Sequence, residues 1–418
     1  MTRWLLLTAL AGCAATVDGT ASGDAGGAAH DADVPAAPRD CAWRPAAAVE
    51  VSPPGDLRYR LVDAAPTPDG AWVTYRARRP GGDDDELFVT RVTASGEPHP
   101  GAPLGSVIRA PLFGLAGTAS LQTSMLGEGE GLTMLFGGET DRGACVWARL
   151  AGPDTRAIRS LNPSELAAGF TLTGCGAMLR TAGGYSFVSE QVRALWGTTL
   201  LELDEGGGFT RSSELPMTAG PTQSGVSRVA LPGGDFLGSW VEAAAPQGRM
   251  SSLNARRFSE RGEARGDTFA ITTTVETLKD SVLTLTAEGV VALWEGPADR
   301  FPASDALLVR ALSRDGRPVE EPQALTSLGF FLGGLSAAAR GDELLATAIT
   351  ARDGMRLELV VMSARGALRA QVDTGLRDLD GPLRLSRVTA TREGALVFAT
   401  VAQGERGGRV VAVPMRCE

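Results

Sequence analysis

The feature that most constrains the fold of this chain is a short glycine turn that recurs along the sequence, each time before an apolar stretch. Successive copies of this turn, from Gly70 in the first to Gly394 in the last, are separated by six intervals that average about 54 residues. A period near 50 residues is typical of propellers, solenoids and other arrays of one repeated unit. The sequence predicts seven copies: Asp69-Gly70 before Ala71 to Tyr75, Gly131 before Leu132 to Phe136, Gly183-Gly184 before Tyr185 to Val188, Gly233-Gly234 before Phe236 to Trp240, Glu288-Gly289 before Val290 to Trp294, Gly341-Asp342 before Leu344 to Ile349, and Glu393-Gly394 before Ala395 to Val401.

A second pattern runs in phase with the first and consists of an alternating strand that ends in a polar turn. Its clear copies are Leu87 to Val92 before Ser95-Gly96, Asn254 to Phe258 before Arg261-Gly262, Leu307 to Leu312 before Asp315-Gly316, and Leu357 to Met362 before Arg365-Gly366, with weaker copies at Cys145 to Leu150 and Leu200 to Leu203. Long helical periodicity is nearly absent, which argues against helical and leucine-rich solenoids. The two patterns together predict an all-β fold.

Each repeat fits four short antiparallel strands, and small sheets of this kind cover their faces by packing radially around an axis. We therefore predict a single all-β propeller of seven four-stranded blades, with six or eight blades as the alternatives. The last repeat stops at Cys417 without a fourth strand, whereas Ala48 to Ser52 is an apolar segment without a repeat of its own. We expect the N-terminal segment to supply the missing strand and to close the ring.

The first 13 residues resemble the signal of a bacterial lipoprotein. Arg3 precedes the apolar run Trp4 to Leu10, and Leu10-Ala11-Gly12-Cys13 matches the lipobox. The resemblance implies that residues 1–12 are a removed signal peptide, that Cys13 is acylated, and that this lipid anchor holds the protein on a membrane. Ala14 follows instead of Asp, and by resemblance to the usual sorting rule this favours the outer membrane. The alternative is an N-terminal core helix that ends in a chance cysteine.

The remaining chain divides into a tether and one folded domain. Residues 13–40 carry the acylated cysteine and a segment of small and polar residues that cannot bury a core. As a random coil, this tether would reach on the order of 30 Å. Residues 41–418 form the propeller domain.

The cysteines predict two disulfides. Besides Cys13 the chain contains Cys41, Cys145, Cys175 and Cys417, and an even number in an exported protein indicates pairing, for which three solutions exist. Cys41 and Cys417 lie at the two ends of the folded region, and Cys145 and Cys175 lie close in sequence. We favour these two pairs, the first of which would lock the ring, over four buried free thiols.

The repeats resemble bacterial β-propeller modules in general. The segment Thr67-Pro68-Asp69-Gly70-Ala71-Trp72-Val73 resembles one unit of the Tol-system propeller family. The other repeats lack this Pro-Asp-Gly signature, so the resemblance is architectural and implies a fold rather than an activity.

Few residues suited to catalysis are present. His30 and His99 are the only histidines, and we expect His99 to be solvated; Lys279 is the only lysine, and neither a phosphate loop nor a serine elbow occurs. The run Asp83-Asp84-Asp85-Glu86 lacks the spacing of calcium loops. We therefore predict no catalytic residue, metal or cofactor. The net charge of -9 argues against nucleic acid as a partner.

Loop lengths indicate where a partner would bind. In an up-and-down blade the first and third turns share one face, whereas the second turns and the blade-to-blade connections share the other. The first and third turns are predicted to be short and the second turns longer, so we expect a protein or glycan to bind the long-loop face. Trp196 and Phe301 are candidate binding aromatics on this face. The alternative is that both rings pack into neighbouring strands.

The sequence favours a non-enzymatic binding or scaffold lipoprotein of the cell envelope, on either side of the outer membrane, with no specific ligand indicated. One alternative is a carbohydrate-active enzyme, because paired acidic residues on a propeller face can hydrolyse glycosides. The other is an assembly factor, by resemblance to the lipoprotein propellers of the outer-membrane assembly machinery.

Overall fold

The structure, a computed structural model, describes residues 41–418 except 56, 79–84, 100–104, 109–121, 130, 139–143, 151–155, 162–175, 192–196, 218–222, 244–249, 277–280, 302–304, 329–334, 351–354, 378, 380–384 and 403–407. Within the described residues the chain forms 29 strands and no helix, which confirms the all-β prediction. A helix that could cross a membrane is therefore also not found in this part of the chain.

Two short strands, β1 (Trp43–Pro45) and β2 (Val49–Glu50), precede the first blade. Blade 1 contains β3 (Arg58–Thr67), β4 (Gly70–Arg78), β5 (Asp85–Thr93) and β6 (Gly105–Ile108). Blade 2 contains β7 (Gln122–Glu128), β8 (Gly131–Gly138), β9 (Ala144–Leu150) and β10 (Arg156–Leu161). Blade 3 contains β11 (Gly176–Thr181), β12 (Gly184–Gln191), β13 (Gly197–Leu203) and β14 (Phe209–Leu215).

Blade 4 contains β15 (Gln223–Ala230), β16 (Phe236–Ala243), β17 (Met250–Phe258) and β18 (Phe269–Glu276). Blade 5 contains β19 (Ser281–Thr286), β20 (Gly289–Pro297), β21 (Asp305–Leu312) and β22 (Gln323–Ser327). Blade 6 contains β23 (Ala337–Arg340), β24 (Glu343–Thr350), β25 (Arg356–Ser363) and β26 (Leu368–Asp373). Blade 7 contains β27 (Ser386–Ala390), β28 (Gly394–Ala402) and β29 (Gly408–Cys417), together with β1 and β2.

The blades form a closed seven-bladed propeller, as predicted. Neighbouring strands within each blade are antiparallel, and each of the first six sheets follows the order of the chain. The first strand of each blade contacts the first strand of the next, from β3 and β7 round to β27 and β3. These first strands therefore lie innermost, and the core lies between adjacent blades; Tyr75 of blade 1, for example, packs in one cluster with Phe398 of blade 7.

The N-terminal segment supplies the fourth strand of blade 7, which confirms the predicted ring closure. Trp43 of β1 pairs with Cys417 of β29, whereas Val49 of β2 pairs with Ala412 of the same strand. The closing strand is therefore built from two short pieces separated by residues 46–48, and the predicted segment, residues 48–52, contains only the second piece.

The disulfide between Cys41 and Cys417, whose Cα atoms are 5.2 Å apart, joins the two ends of the ring as predicted. Cys145 is also disulfide-bonded and is buried. Its predicted partner Cys175 lies outside the described residues, as does the predicted lipidation site Cys13, so the second pairing stays a prediction.

The two faces of the ring are called here the turn face, with the first and third turns, and the connection face, with the second turns and the blade-to-blade connections. All seven predicted glycine turns are first turns, and the four clear polar turns are third turns. The prediction that third turns are uniformly short is wrong. Between strand ends, blades 1, 4 and 5 use residues 94–104, 259–268 and 313–322, which exceed the longest second turn, residues 298–304.

These three long turns share one feature. After the turn the chain makes one isolated bridge back to the third strand, as between Val92 and Pro98 and between Leu312 and Pro318, and the outer strand begins only later. In each case the N–H of the next residue donates to the third strand, as from His99 to the carbonyl oxygen of Arg91 and from Val319 to that of Ala311. Length alone therefore separates the faces less than expected, although the strands separated by the most residues, β6 from β7 and β10 from β11, belong to consecutive blades.

The glycine of the third turn packs against the preceding blade. Gly366 has a φ of +88°, and a Cβ added there would lie 2.5 Å from Val309 of blade 5. Glycine is therefore favoured at this position for two reasons: the backbone is left-handed, and the preceding blade leaves no room for a side chain. Equivalent glycines face the preceding blade in the other described third turns: Gly96, Gly207, Gly262 and Gly316.

Candidate functional site

A dense group of ionisable side chains lies on the turn face between blades 2 and 3. Glu128 ends β7 next to the first turn of blade 2, and Tyr185 lies on β12 of blade 3. The Tyr185 hydroxyl donates to Glu128 Oε1 at 3.0 Å, and the Thr133 hydroxyl donates to Glu128 Oε2 at 2.9 Å. The Glu128 carboxylate thus links the two blades.

Two arginines and a second glutamate complete this group. Arg149 Nη1 lies 3.2 Å from Glu205 Oε2, and Arg180 Nη1 lies 2.9 Å from the same oxygen. Arg180 Nη1 is also 3.4 Å from Glu128 Oε1, and its guanidinium carbon lies 4.7 Å from the centroid of the Tyr185 ring. Two positive and two negative charges therefore balance across the boundary between the blades.

A phenol beside a carboxylate and two arginines could in principle serve acid–base chemistry. Tyr185, however, is 0% exposed, and burial raises the pKa of its hydroxyl, so that the phenol stays protonated and out of reach of a substrate. Each guanidinium already contacts a carboxylate, which leaves little positive charge for an anion. The cluster is suited to holding blades 2 and 3 together, where each half-exposed ion pair is worth about 0.2–1 kcal/mol.

The same arrangement recurs between other blades. Arg257 on the third strand of blade 4 lies 2.8 Å from Asp235 at the first turn of its own blade and 2.9 Å from Asp315 at the third turn of blade 5. Between blades 5 and 6 the acidic residue belongs to the earlier blade and the arginine to the later one. Glu288 at the first turn of blade 5 lies 2.5 Å from Arg365 at the third turn of blade 6. Charged side chains of the turn face therefore join blade 2 to blade 3, blade 4 to blade 5 and blade 5 to blade 6.

Blade 1 contains a related group around Asp69. Arg91 Nη2 lies 2.6 Å from Asp69 Oδ1, and His99 Nε2 lies 3.7 Å from Asp69 Oδ2. Burial alone would raise the pKa of Asp69, but the hydrogen bonds from Arg91 and Thr67 outweigh it and hold this pKa below its ordinary value. The interpretation of His99 as merely solvated is therefore incomplete, since its ring lies beside an ionised carboxylate.

On the connection face, the structure describes one of the two predicted binding aromatics. Phe301 is half-buried in the second turn of blade 5 and packs against the core between blades 4 and 5. Arg300 lies over its ring at 5.5 Å and donates to the carbonyl oxygen of Ala324 at 3.3 Å. Phe301 therefore combines the core packing of the alternative interpretation with a partly open ring. Trp196 lies outside the described residues.

Metal-binding groups of three or more histidine, cysteine or acidic residues do not occur among the described residues. Of the acidic run Asp83-Asp84-Asp85-Glu86, Asp83 and Asp84 lie outside those residues, and Asp85 and Glu86 belong to β5.

The residues of the clusters on the turn face were not singled out from the sequence. A signal was available, because the third strands of three blades carry an arginine at equivalent places: Arg91, Arg149 and Arg257. Each of these arginines pairs with the second or third residue of the preceding strand. That signal does not identify Tyr185 or Glu205, whose contacts come from the neighbouring blade.

Comparison with known proteins supports the fold alone. No protein-family model matches the sequence, and no curated protein matches it either. Among solved structures, the chain is similar to the BP39L lectin from Burkholderia pseudomallei, with a TM-score of 0.55 and 13% identity over 85% of this chain and 96% of the lectin. It is also similar to a protein of unknown function from Dyadobacter fermentans, with a TM-score of 0.53 and 12% identity over 90% and 99% of the two chains.

A third similar structure is a puromycin-hydrolyzing peptidase from Mycobacterium tuberculosis, with a TM-score of 0.52 and 16% identity over 85% of this chain. The match spans about half of the peptidase, 51% of its chain. Proteins this distant share an architecture without necessarily sharing a site. The chain is a seven-bladed β-propeller.

Proposed function

We propose that this protein is a non-enzymatic binding lipoprotein of the cell envelope, whose propeller is a rigid platform for ligand binding on the connection face. The observation that carries the proposal is the different use of the two faces. On the turn face, arginines and acids pair between blades, as in the contact of Arg257 with Asp315 at 2.9 Å. On the connection face, the structure describes the half-buried aromatic ring of Phe301, and consecutive blades are joined between strands up to 14 residues apart, as between β10 and β11.

The point at which the tether enters the ring supports this choice of face. The Cys417 N–H donates to the carbonyl oxygen of Glu393, which belongs to the first turn of blade 7. Cys41 is joined to Cys417, so a chain that leads from an acylated Cys13 reaches the domain on its turn face. The connection face is then the one directed away from the point of attachment.

A glycan is the first ligand class to test, because one solved structure with this fold is a lectin. A partly open aromatic ring beside a guanidinium also suits contacts with sugars. The full chain with Cys13→Ser, which removes the proposed lipid, would be applied to an array of bacterial and host glycans. We expect Phe301→Leu to weaken binding by about threefold to tenfold, as an aromatic contact worth 0.5–1.5 kcal/mol requires.

Val319→Ala is a matched control, because Val319 is an exposed apolar residue of the turn face, with 58% of its surface accessible. Equal loss of binding in both variants would contradict the proposed face. Thermal unfolding of Phe301→Leu checks that the core between blades 4 and 5 is intact.

The proposed anchor has a separate test. Cys13→Ser should abolish incorporation of labelled palmitate and move the protein from the membrane to the soluble fraction. Protease treatment of intact cells then distinguishes the two sides of the outer membrane, with a periplasmic protein as the marker. Loss of the wild-type protein indicates surface display, and protection indicates a periplasmic domain; membrane retention of Cys13→Ser would contradict the lipid anchor.

A further inference from the structure

We infer that β14, the outer strand of blade 3, is a second binding surface that takes an extended acidic peptide as an added strand. This surface lies at the rim of the ring, apart from the proposed ligand site. Within the described residues β14 is paired only through β13, so one edge of its backbone faces outward. Such an edge offers N–H and C=O groups to another strand.

β14 is more open than the outer strands β22 of blade 5 and β29 of blade 7. Thr210, Arg211, Ser212 and Glu214 are all exposed, whereas the middle of β22 in blade 5 is buried. The carbonyl of Ala324 in β22 also accepts a hydrogen bond from Arg300, and in blade 7 the outer edge of β29 is covered by β1 and β2. No comparable cover lies on β14 among the residues that the structure describes.

A groove runs along β14 and gives the added strand a wall. Its far side is the third turn of blade 4, where the carbonyl of Arg261 accepts a hydrogen bond from the Ser213 hydroxyl at 3.1 Å. Gly262 of this turn approaches Leu215, so that a Cβ added to the glycine would lie 2.9 Å from Leu215 Cδ2. These contacts between blades 3 and 4 fix the position of the wall relative to β14.

The charges of the groove select the peptide. Side chains alternate along a strand, so Arg211 points to the same side as Ser213 and Leu215, toward the turn of blade 4. Glu214 alternates with them and also lines the groove. Arg211 and Arg261 are exposed and, unlike most arginines of the turn face, have no acidic partner in the part of the chain that the structure describes. Glu263 of the groove already faces Arg265 at 3.6 Å. An added strand would meet two free guanidinium groups on this side.

The partner is thus a peptide in extended conformation with aspartate or glutamate at alternating positions. Backbone hydrogen bonds would provide affinity, and the carboxylates would choose the register next to Arg211 and Arg261. Such a segment would come from another protein of the same compartment.

The test is selection from a random twelve-residue peptide library on the full chain with Cys13→Ser. We expect enriched peptides with alternating acidic residues, and their affinity to fall at least tenfold with Arg211→Glu/Arg261→Glu. Arg314→Glu, at an exposed arginine in the third turn of blade 5, is the control and should change affinity less than twofold. Addition of salt should weaken binding to the wild type.

Hydrogen exchange locates the bound peptide. Protection of the amides of residues 210–214, with β26 unchanged, supports strand addition. Enriched peptides without acidic residues, or peptides insensitive to the double reversal, would overturn the inference; so would protection confined to the second turns, although that result would support the proposed ligand face. Failure to enrich any peptide also overturns it and leaves the glycan test unaffected.

Discussion

Arg228 places a guanidinium between blades 3 and 4 where the described residues provide no carboxylate. Its Nη2 donates to Ser186 Oγ at 2.8 Å and its Nη1 to the carbonyl oxygen of Ala177 at 3.3 Å, and the group stacks 4.2 Å from the centroid of Phe236. Burial lowers the pKa of Arg228 to about 9, so the buried group is still charged at pH 7 and its full desolvation cost is present there. Below this pKa the cost does not change with pH.

We therefore expect Arg228→Met to leave the free energy of unfolding at pH 7 unchanged or to raise it by up to about 2 kcal/mol in urea denaturation. Ser186 is left unpaired in this variant, so adding Ser186→Ala should recover about 1 kcal/mol. Arg257→Met is the matched control and should lose about 1 kcal/mol, because Arg257 pairs with two carboxylates. A loss above about 2 kcal/mol for Arg228→Met would contradict this account.

Tyr75 carries a fully buried hydroxyl for which the described structure provides no hydrogen-bond partner. Burial, assisted by Tyr59, raises the pKa of Tyr75 well above its ordinary value of 10.0. Above pH 10 the unfolded chain releases this proton and the folded chain keeps it, so stability falls as pH rises. We expect Tyr75→Phe to be neutral or stabilising by about 1 kcal/mol at pH 7 and to flatten the loss above pH 10.

Tyr185→Phe provides the contrast, because Tyr185 bonds Glu128 and Thr133. This variant should be destabilised at pH 7 by about 1–2 kcal/mol. Equal stability of the two variants in urea at pH 7 would show that the difference in hydrogen bonding has no energetic effect.

At the scale of the structural element, the third turn is the device that fastens one blade to the one before it. Gly366 needs a φ of +88° and lies against Val309, whereas Gly233 in a first turn has a φ of +90° and nothing within 4 Å of an added Cβ. Alanine substitutions at these two glycines therefore separate the energetic cost of backbone strain from that of steric overlap. We expect Gly233→Ala to cost about 1 kcal/mol for the backbone and Gly366→Ala about 2–4 kcal/mol, because overpacking is added.

Thermal and urea unfolding of the two alanine variants measure this difference. If both lose the same free energy, blade 5 moves away at little cost and the contact is not important for stability. Adding Val309→Ala to Gly366→Ala should restore part of the lost free energy of unfolding, because it removes the Val309 methyl groups nearest the new Cβ.

For the whole molecule, closure of the ring is the event on which the other contacts depend. The Cys41–Cys417 disulfide spans a sequence separation of 376 residues, and β1 and β2 add only five residues of strand pairing to β29. The chain-entropy model assigns roughly 6 kcal/mol to a closure this long. We expect Cys41→Ala/Cys417→Ala to lower the free energy of unfolding by up to that amount.

Hydrogen exchange distinguishes a lost cross-link from a lost strand. In the double variant, the outer amides of β29, which face β1 and β2, should exchange first, and the inner strands should remain protected. The Asp63–Arg387 contact between blades 1 and 7, 2.8 Å long, belongs to the inner ring and should therefore persist in the double variant. Uniform loss of protection in all blades would mean that the closing strand is not a separate unit.

What the sequence determined is local and repeated. Apolar alternation and turn glycines act over a few residues, and they recur seven times, so strand order, blade count and the two kinds of turn could be read without coordinates. Glycine is required at Gly394, for example, because an added Cβ would lie 1.9 Å from the carbonyl oxygen of Met415. The cysteines at the two ends likewise predicted how the ring closes.

Tertiary structure alone decided which side chains meet across the blades. Glu128 and Tyr185 are 57 residues apart, and Arg257 and Asp315 are 58 apart, yet each pair is in contact because the two residues belong to adjacent blades that pack against each other. The angle and height at which two blades pack depend on the whole interface, which no local pattern encodes. For the same physical reason the open edge of β14, the two-piece closing strand and the partial burial of Phe301 became visible only in the closed ring.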